Sequence, residues 1–165
     1  MRKLNAKYQK LITLIARLTV GGVLLVAGAL KAFVPAEAAS AVAAYKILPV
    51  KIAHIFGYGL PWLEIAIGLL LIAGLSIRLA GVVAGTVMVL FIGAIISVWA
   101  RGILIDCGCF GGGGAIDPSK AAQVHRTYAL EIARDAGLAL LTLYLYFFPY
   151  GFLSFEKSAE PTKEN

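Results

Sequence analysis

The sequence predicts an all-α integral membrane protein, a bundle of four transmembrane helices. Three observations lead there. Hydrophobic residues form 60% of the chain and charged residues 15%, against roughly 45–50% and about 25% in soluble domains. The mean hydropathy is +0.85. The 165 residues also fall into apolar runs long enough for the ~20 residues that cross a bilayer core. One domain of this length has too few polar residues to cover a water-facing surface. A soluble enzyme and a disordered chain are thereby excluded. The net charge of +6 comes from 15 Lys and Arg scattered between apolar runs. That is the pattern of membrane flanks, so no nucleic-acid partner is expected.

The first span is expected at about residues 11–34, after a cationic N-terminus with Arg2, Lys3, Lys7 and Lys10. A cleaved signal peptide ending at Ala36-Glu37-Ala38 is the alternative, but signal h-regions run only about 7–15 residues. Residues 35–51 form an amphiphilic connection with room for a short interfacial helix. The second span is expected at about 58–77, with Pro61 in its first turn, Trp62 at an interface and Glu64 as its only charge. A short turn at Arg78 leads to the third span, about 79–100, so these two form an antiparallel hairpin. Gly81 and Gly85 within it have a spacing that allows close helix approach. The long polar connection from Arg101 to Thr127 precedes a fourth span at about 128–149. Residues 1–155 then make one membrane domain, and 156–165 a disordered, charged tail.

Four spans put both termini on one side. Lys and Arg tie at seven on each side, and the compact N-terminal cluster breaks the tie, since the first helix usually dominates. The chain is expected in the inner (plasma) membrane, multi-pass, with cytoplasmic termini and the polar loop periplasmic or extracellular.

That loop holds both cysteines, in Asp106-Cys107-Gly108-Cys109-Phe110, followed by Gly111 to Gly114. A thiol pair can cycle between dithiol and disulfide. With one residue between them, the disulfide ring needs a bent backbone, which Gly108 permits. Such a bond is expected to be strained and easily reduced. Two inert cysteines, or half of a metal site shared with another chain, are the alternatives. Asp106 could take a proton during exchange, or simply cap the loop. His54 and His125 complete an arithmetic Cys₂His₂ set whose spacing fits no zinc pattern, so no metal site is expected.

Intramembrane charges are the second signal. At about 100° per residue, Arg17, Gly21, Leu24, Gly28 and Lys31 share one face. Glu64 and Gly68 share another, as do Glu131, Arg134 and Asp135. Ionisable residues in a membrane turn inward, and these six charges sum to zero. Glu64 is expected to pair with Arg17, Arg134 or Lys31. Snorkelling is the alternative for Arg17 and Lys31, which lie near span ends.

The order Arg17…Gly21…Gly28-x-x-Lys31, then Leu60-Pro61-Trp62-Leu63-Glu64…Gly68, then Arg101-Gly102-x-x-Ile105-Asp106-Cys107-Gly108-Cys109-Phe110-Gly111, then Arg134-Asp135, resembles the MauE branch of the DoxX-like membrane proteins. The likeness runs from about Ile15 to Phe148, and the Asp-Cys-Gly-Cys-Phe-Gly segment is its specific part. It implies a four-helix membrane bundle. It also implies a role beside periplasmic electron-transfer proteins, notably maturation of disulfide-rich methylamine dehydrogenase. A related branch includes a thiosulfate:quinone oxidoreductase subunit. The expected function is thus thiol–disulfide electron transfer by Cys107 and Cys109, with Asp106 beside them, toward a periplasmic thioredoxin-like or electron-transfer partner. By the same analogy a quinone would sit near Trp99 or Phe110. A non-catalytic scaffold or maturation factor with structural cysteines is the second reading. A transporter ranks last, because no broken helix pair is evident.

Overall fold

The computed structural model describes residues 2–108, 113–149 and 151, with backbone alone for residues 2–6. Five helices dominate it: α1 (Arg2–Ala32), α2 (Pro35–Ala44), α3 (Val50–Ala73), α4 (Ile77–Ala100) and α5 (Ala121–Phe147). Between α4 and α5 lie two short strands, β1 (Ile105–Asp106) and β2 (Gly114–Ala115), and a 3₁₀ turn over Pro118–Lys120. The fold is an all-α membrane architecture. Among the described residues, Lys7–Ala32, Val50–Ala73 and Ile77–Ala100 are long and apolar enough to cross a membrane. Helix α5 has 27 residues, about 40 Å at the usual ~1.5 Å rise. Its first half carries Arg126, Glu131, Arg134 and Asp135, so it matches the others in length but not in apolar character.

Local chemistry sets the boundaries. Pro35 occupies the first turn of α2, where its missing N–H costs no hydrogen bond. Helix α3 starts at Val50, with the Pro49 carbonyl accepting from Ala53 N–H at 2.9 Å. Pro61 therefore lies inside α3 and not in its first turn. Packed neighbours make such prolines tolerable in membrane helices. Gly74 ends α3 in the left-handed region (φ 73°), and Leu75 N–H returns to Leu70 O at 3.0 Å. This tight reversal makes α3 and α4 a hairpin.

The bundle is built from two antiparallel pairs, α1 on α3 and α4 on α5, with α2 laid against α3. Glycine brings the first pair together. A Cβ on Gly21 would stand 2.9 Å from Gly68 O, and one on Gly68 would stand 2.8 Å from Gly21 O. Further along, a Cβ on Gly28 would lie 2.7 Å from Pro61 O. On the other pair, a Cβ on Gly85 would meet Thr142 Oγ1 at 2.7 Å. The apolar core joins the pairs through Val20, Leu24, Leu71, Ile77, Ala84 and Leu145. A second cluster, with Tyr45, Ile95, Val98, Ile105, Val124 and Tyr128, lies beneath the cysteine loop. At the opposite end, Thr13 Oγ1 donates to Phe148 O at 3.1 Å, so the ends of α1 and α5 adjoin.

Two glycines of α3 separate packing from propensity. A Cβ on Gly57 would collide with Ala39 Cα and stand 2.9 Å from Ala38 O, whereas one on Gly59 meets nothing within 4 Å. Backbone cannot yield as a side-chain tip can. Gly57→Ala should destabilise the protein by about 1–3 kcal/mol. Gly59→Ala should be neutral or stabilising by about 0.5–1 kcal/mol. Thermal unfolding followed by helical circular dichroism in detergent reads both, and equal effects would contradict this packing.

Candidate functional site: the cysteine loop and the buried charges

The antiparallel ribbon pairs Ile105 with Ala115 and Asp106 with Gly114, so residues 107–113 form its connecting loop. Each root of the loop is fastened. Tyr128 Oη, on α5, accepts from Ile105 N–H at 2.9 Å and faces the carbonyls of Ile103 and Ile105 at 3.0 and 3.1 Å. Tyr45 Oη, at the end of α2, donates to Cys107 O at 3.1 Å. Burial, and then the negative charge of Glu131, push the Tyr45 phenol upward, so it remains a donor across the ordinary pH range. Gly113, at φ 121°, touches Ala41 so closely that no Cβ would fit. Arg101 binds the carbonyls of Tyr45 and Lys46 and ties the end of α4 to the α2–α3 connection.

Within this frame Cys107 is 7% exposed and disulfide-bonded. The chain has one other cysteine, Cys109, which lies outside the described residues, as do Phe110 to Gly112 and the expected tail. Cys107 Sγ is 2.8 Å from Glu131 Oε1. A disulfide sulfur carries no proton, so in the oxidised state the contact needs the proton on the carboxyl. In the dithiol the thiol donates to the carboxylate. Asp106 is exposed, and its Oδ1 accepts from Gly108 N–H at 3.1 Å. It shapes the bend at Gly108 (φ 68°), as aspartates do in turns.

The six intramembrane charges separate into four arrangements, of which Glu131 beside Cys107 is one. Arg17 is fully buried, with Nε donating to Leu71 O at 2.9 Å and Nη2 to Ile72 O at 3.1 Å. These bonds serve the last carbonyls of α3, which carry partial negative charge, and Leu71 O accepts from Gly74 N–H at 3.2 Å as well. Expected among the pairing charges, Arg17 is thus placed on backbone carbonyls. Lys31 and Glu64, 4% and 1% exposed, form a 2.6 Å ion pair, and Lys31 Nζ also lies 5.5 Å from the centroid of the Phe91 ring. Arg134 pairs with its neighbour Asp135 at 2.8 Å. Among the described residues, Glu64 Oε2, Asp135 Oδ2 and Glu131 Oε2 are buried with no hydrogen-bond partner.

Trp99 packs against His125 and Tyr128, with ring centroids 5.8 and 6.0 Å away. An apolar groove of about 610 Å³ lies elsewhere, between Gly81–Leu90 of α4 and Ala139–Tyr146 of α5. That is the half of the pair remote from Trp99, and a second cavity of about 260 Å³ lies beside the cysteine loop, lined by Ile105, Asp106, Lys120 and Val124 among others. Among the described residues no three His, Cys, Asp or Glu side chains are grouped to hold a metal.

Sequence reasoning misses Tyr45, Tyr128 and Gly113, because nothing in their local pattern separates them from ordinary interface or loop residues. It finds Glu131 as an intramembrane charge but not as the neighbour of Cys107. Breaking the Lys31–Glu64 pair tests the buried arrangement. Lys31→Met should destabilise by about 3–5 kcal/mol, and the double variant Lys31→Met, Glu64→Met should recover most of it. Thermal unfolding decides, and a harmless single variant would contradict burial of the pair.

The chain matches the family described as methylamine utilisation protein MauE over residues 9–148. No curated protein and no solved structure matches it. The matched span takes in most of α1, all of α2 to α5 and the cysteine loop. The chain belongs to the MauE family, as a multi-pass membrane protein of methylamine utilisation.

Proposed function

We propose that this protein handles thiol–disulfide electrons for methylamine utilisation, with Cys107 and Cys109 as the reacting pair and Glu131 as their proton group. The contact of Cys107 Sγ with the Glu131 carboxyl at 2.8 Å carries this reading. A cysteine with a purely packing role needs no carboxyl group against its sulfur. Asp106, the nearer acid in sequence, is occupied by the Gly108 N–H.

The reaction is an exchange with a partner dithiol, of a periplasmic thioredoxin-like or electron-transfer protein. The partner thiolate attacks Cys109 sulfur, a new S–S bond forms, and the Cys107–Cys109 bond breaks. The electron pair goes to Cys107 Sγ, which takes the proton from Glu131. A second partner thiol then resolves the mixed disulfide and releases Cys109 as a thiolate, which is protonated from water. The partner loses two electrons and two protons, and the pair gains both. Run backwards, the same steps reduce a client disulfide and re-form the Cys107–Cys109 bond. Cys107 suits the leaving position, because it is buried and held beside an acid. No electron step is routed through a quinone.

The single four-span domain belongs to this proposal, with α5 as the fourth span, the termini in the cytoplasm and the loop at the outer face of the inner membrane. The adjoining ends of α1 and α5 and the N-terminal cation cluster support that orientation. A scaffold or maturation factor whose cysteines only tie the loop is the second reading, favoured by the burial of Cys107.

The double variant Cys107→Ser, Cys109→Ser separates the two. Its stability should fall by less than about 2 kcal/mol, since so short a loop removes little unfolded-state entropy. Client disulfide maturation and growth on methylamine should fail. Full growth without the thiols would establish the scaffold instead. Glu131→Gln should slow reduction of the pair by dithiothreitol roughly a hundredfold and remove one limb of its pH dependence. Glu131→Asp should restore part of the rate.

A further inference from the structure

Three buried carboxylate oxygens, Glu64 Oε2, Asp135 Oδ2 and Glu131 Oε2, meet no donor among the described residues, although Glu64 and Asp135 are each 1% exposed. Leaving such an atom dry costs about 1–3 kcal/mol or more. A purely structural ion pair would close its lone pairs on protein groups. Two of these residues, Glu64 and Asp135, line one of a pair of small cavities. One, of about 20 Å³, is lined by Glu64, Arg134 and Asp135, with Met88, Phe91 and Leu138 among its apolar walls. The other, of about 30 Å³, is lined by Lys31, Tyr45, Cys107, Gly108 and Phe91. Each exceeds the ~10–15 Å³ that a water needs, and each offers several polar groups.

The cavities share Phe91 as a wall, and the Lys31–Glu64 bond links their polar linings. Asp135 lies one turn along α5 from Glu131, on the same face. The polar groups therefore make a circuit: Cys107, the outer cavity, Lys31, Glu64, the inner cavity, Asp135, Glu131 and Cys107 again. Titratable or charged members come from α1 (Lys31), the residue just after α2 (Tyr45), α3 (Glu64) and α5 (Glu131, Arg134, Asp135). The residues of α4 that line the cavities, Met88 and Phe91, do not titrate.

We propose that the Lys31–Glu64 pair, Asp135 and water in the two adjoining cavities form an internal proton relay that reloads Glu131 after it has protonated Cys107. This rests on the thiol–disulfide reading above. When the pair is reduced by a dithiol, Cys107 gains a proton from Glu131, and Glu131 regains one from Asp135, one turn away on α5, which draws on Glu64 through the inner water. Those carboxyls are refilled through Lys31 and the outer cavity. The dithiol has meanwhile lost two electrons and two protons, so charge and mass balance without a further reactant.

Redox-difference infrared spectroscopy on the full chain in lipid nanodiscs tests it, with dithiothreitol as reductant. Reduction should produce carboxyl bands from Glu64 and Asp135 besides that of Glu131, shifting in heavy water. Glu64→Gln and Asp135→Asn should each lose their own band. Isotope-labelled aspartate in the unaltered protein marks Asp106, Asp117 and Asp135 together, and with Asp106→Asn and Asp117→Asn, at exposed positions, it reads Asp135 should a substitution there prevent folding. Reduction with a response from Glu131 alone overturns the relay and leaves the thiol reading standing. A Cys107 disulfide that dithiothreitol cannot reduce overturns both.

Discussion

Gly28 has no side chain, and much of the bundle follows from that. With a Cβ only 2.7 Å from Pro61 O, any other residue would push α1 away from α3. The close approach brings Lys31 onto Glu64 at 2.6 Å within an apolar surround. An ion pair in such a medium is strong only if the geometry is tight, because removing each charge from water carries a large penalty. The glycine seam and the ion pair therefore depend on each other. Gly21 and Gly68 repeat the close approach nearer the other end of the pair, where Arg17 closes the last carbonyls of α3.

The two ends of the bundle are built differently. Toward the α3–α4 turn the buried polar groups meet backbone carbonyls directly, and the α4–α5 groove there is apolar. Toward the cysteine loop the polar groups face one another across small cavities. The first arrangement is a locked joint. The second keeps orphan carboxylate oxygens beside room for water, which suits groups that exchange protons.

The two roots of the loop are held by neighbours: Tyr128 grips β1, Tyr45 holds the carbonyl of Cys107, and Ala41 admits only glycine at 113. Two tyrosines from separate helices thus fix the backbone while Glu131 meets the sulfur. The main chain of Cys107 is thus restrained by Tyr45 while its sulfur, within the disulfide, faces Glu131.

Membrane character, the helical class and the facing of α1 were legible in the sequence, because each rests on composition or on a period of about 3.6 residues. The cysteine motif was legible as well, since adjacent chemistry needs no fold to reveal it. Tertiary structure decided the rest. Which cation meets Glu64 depends on the antiparallel register of α1 and α3, set by backbone contacts at glycines that hydropathy cannot see. That Arg17 turns to helix-end carbonyls depends on where α3 stops. The pairing of Cys107 with Glu131, 24 residues apart, depends on how the ribbon folds back over α5. A sequence pattern records which face of a helix is polar, but only packing decides which polar group it will meet.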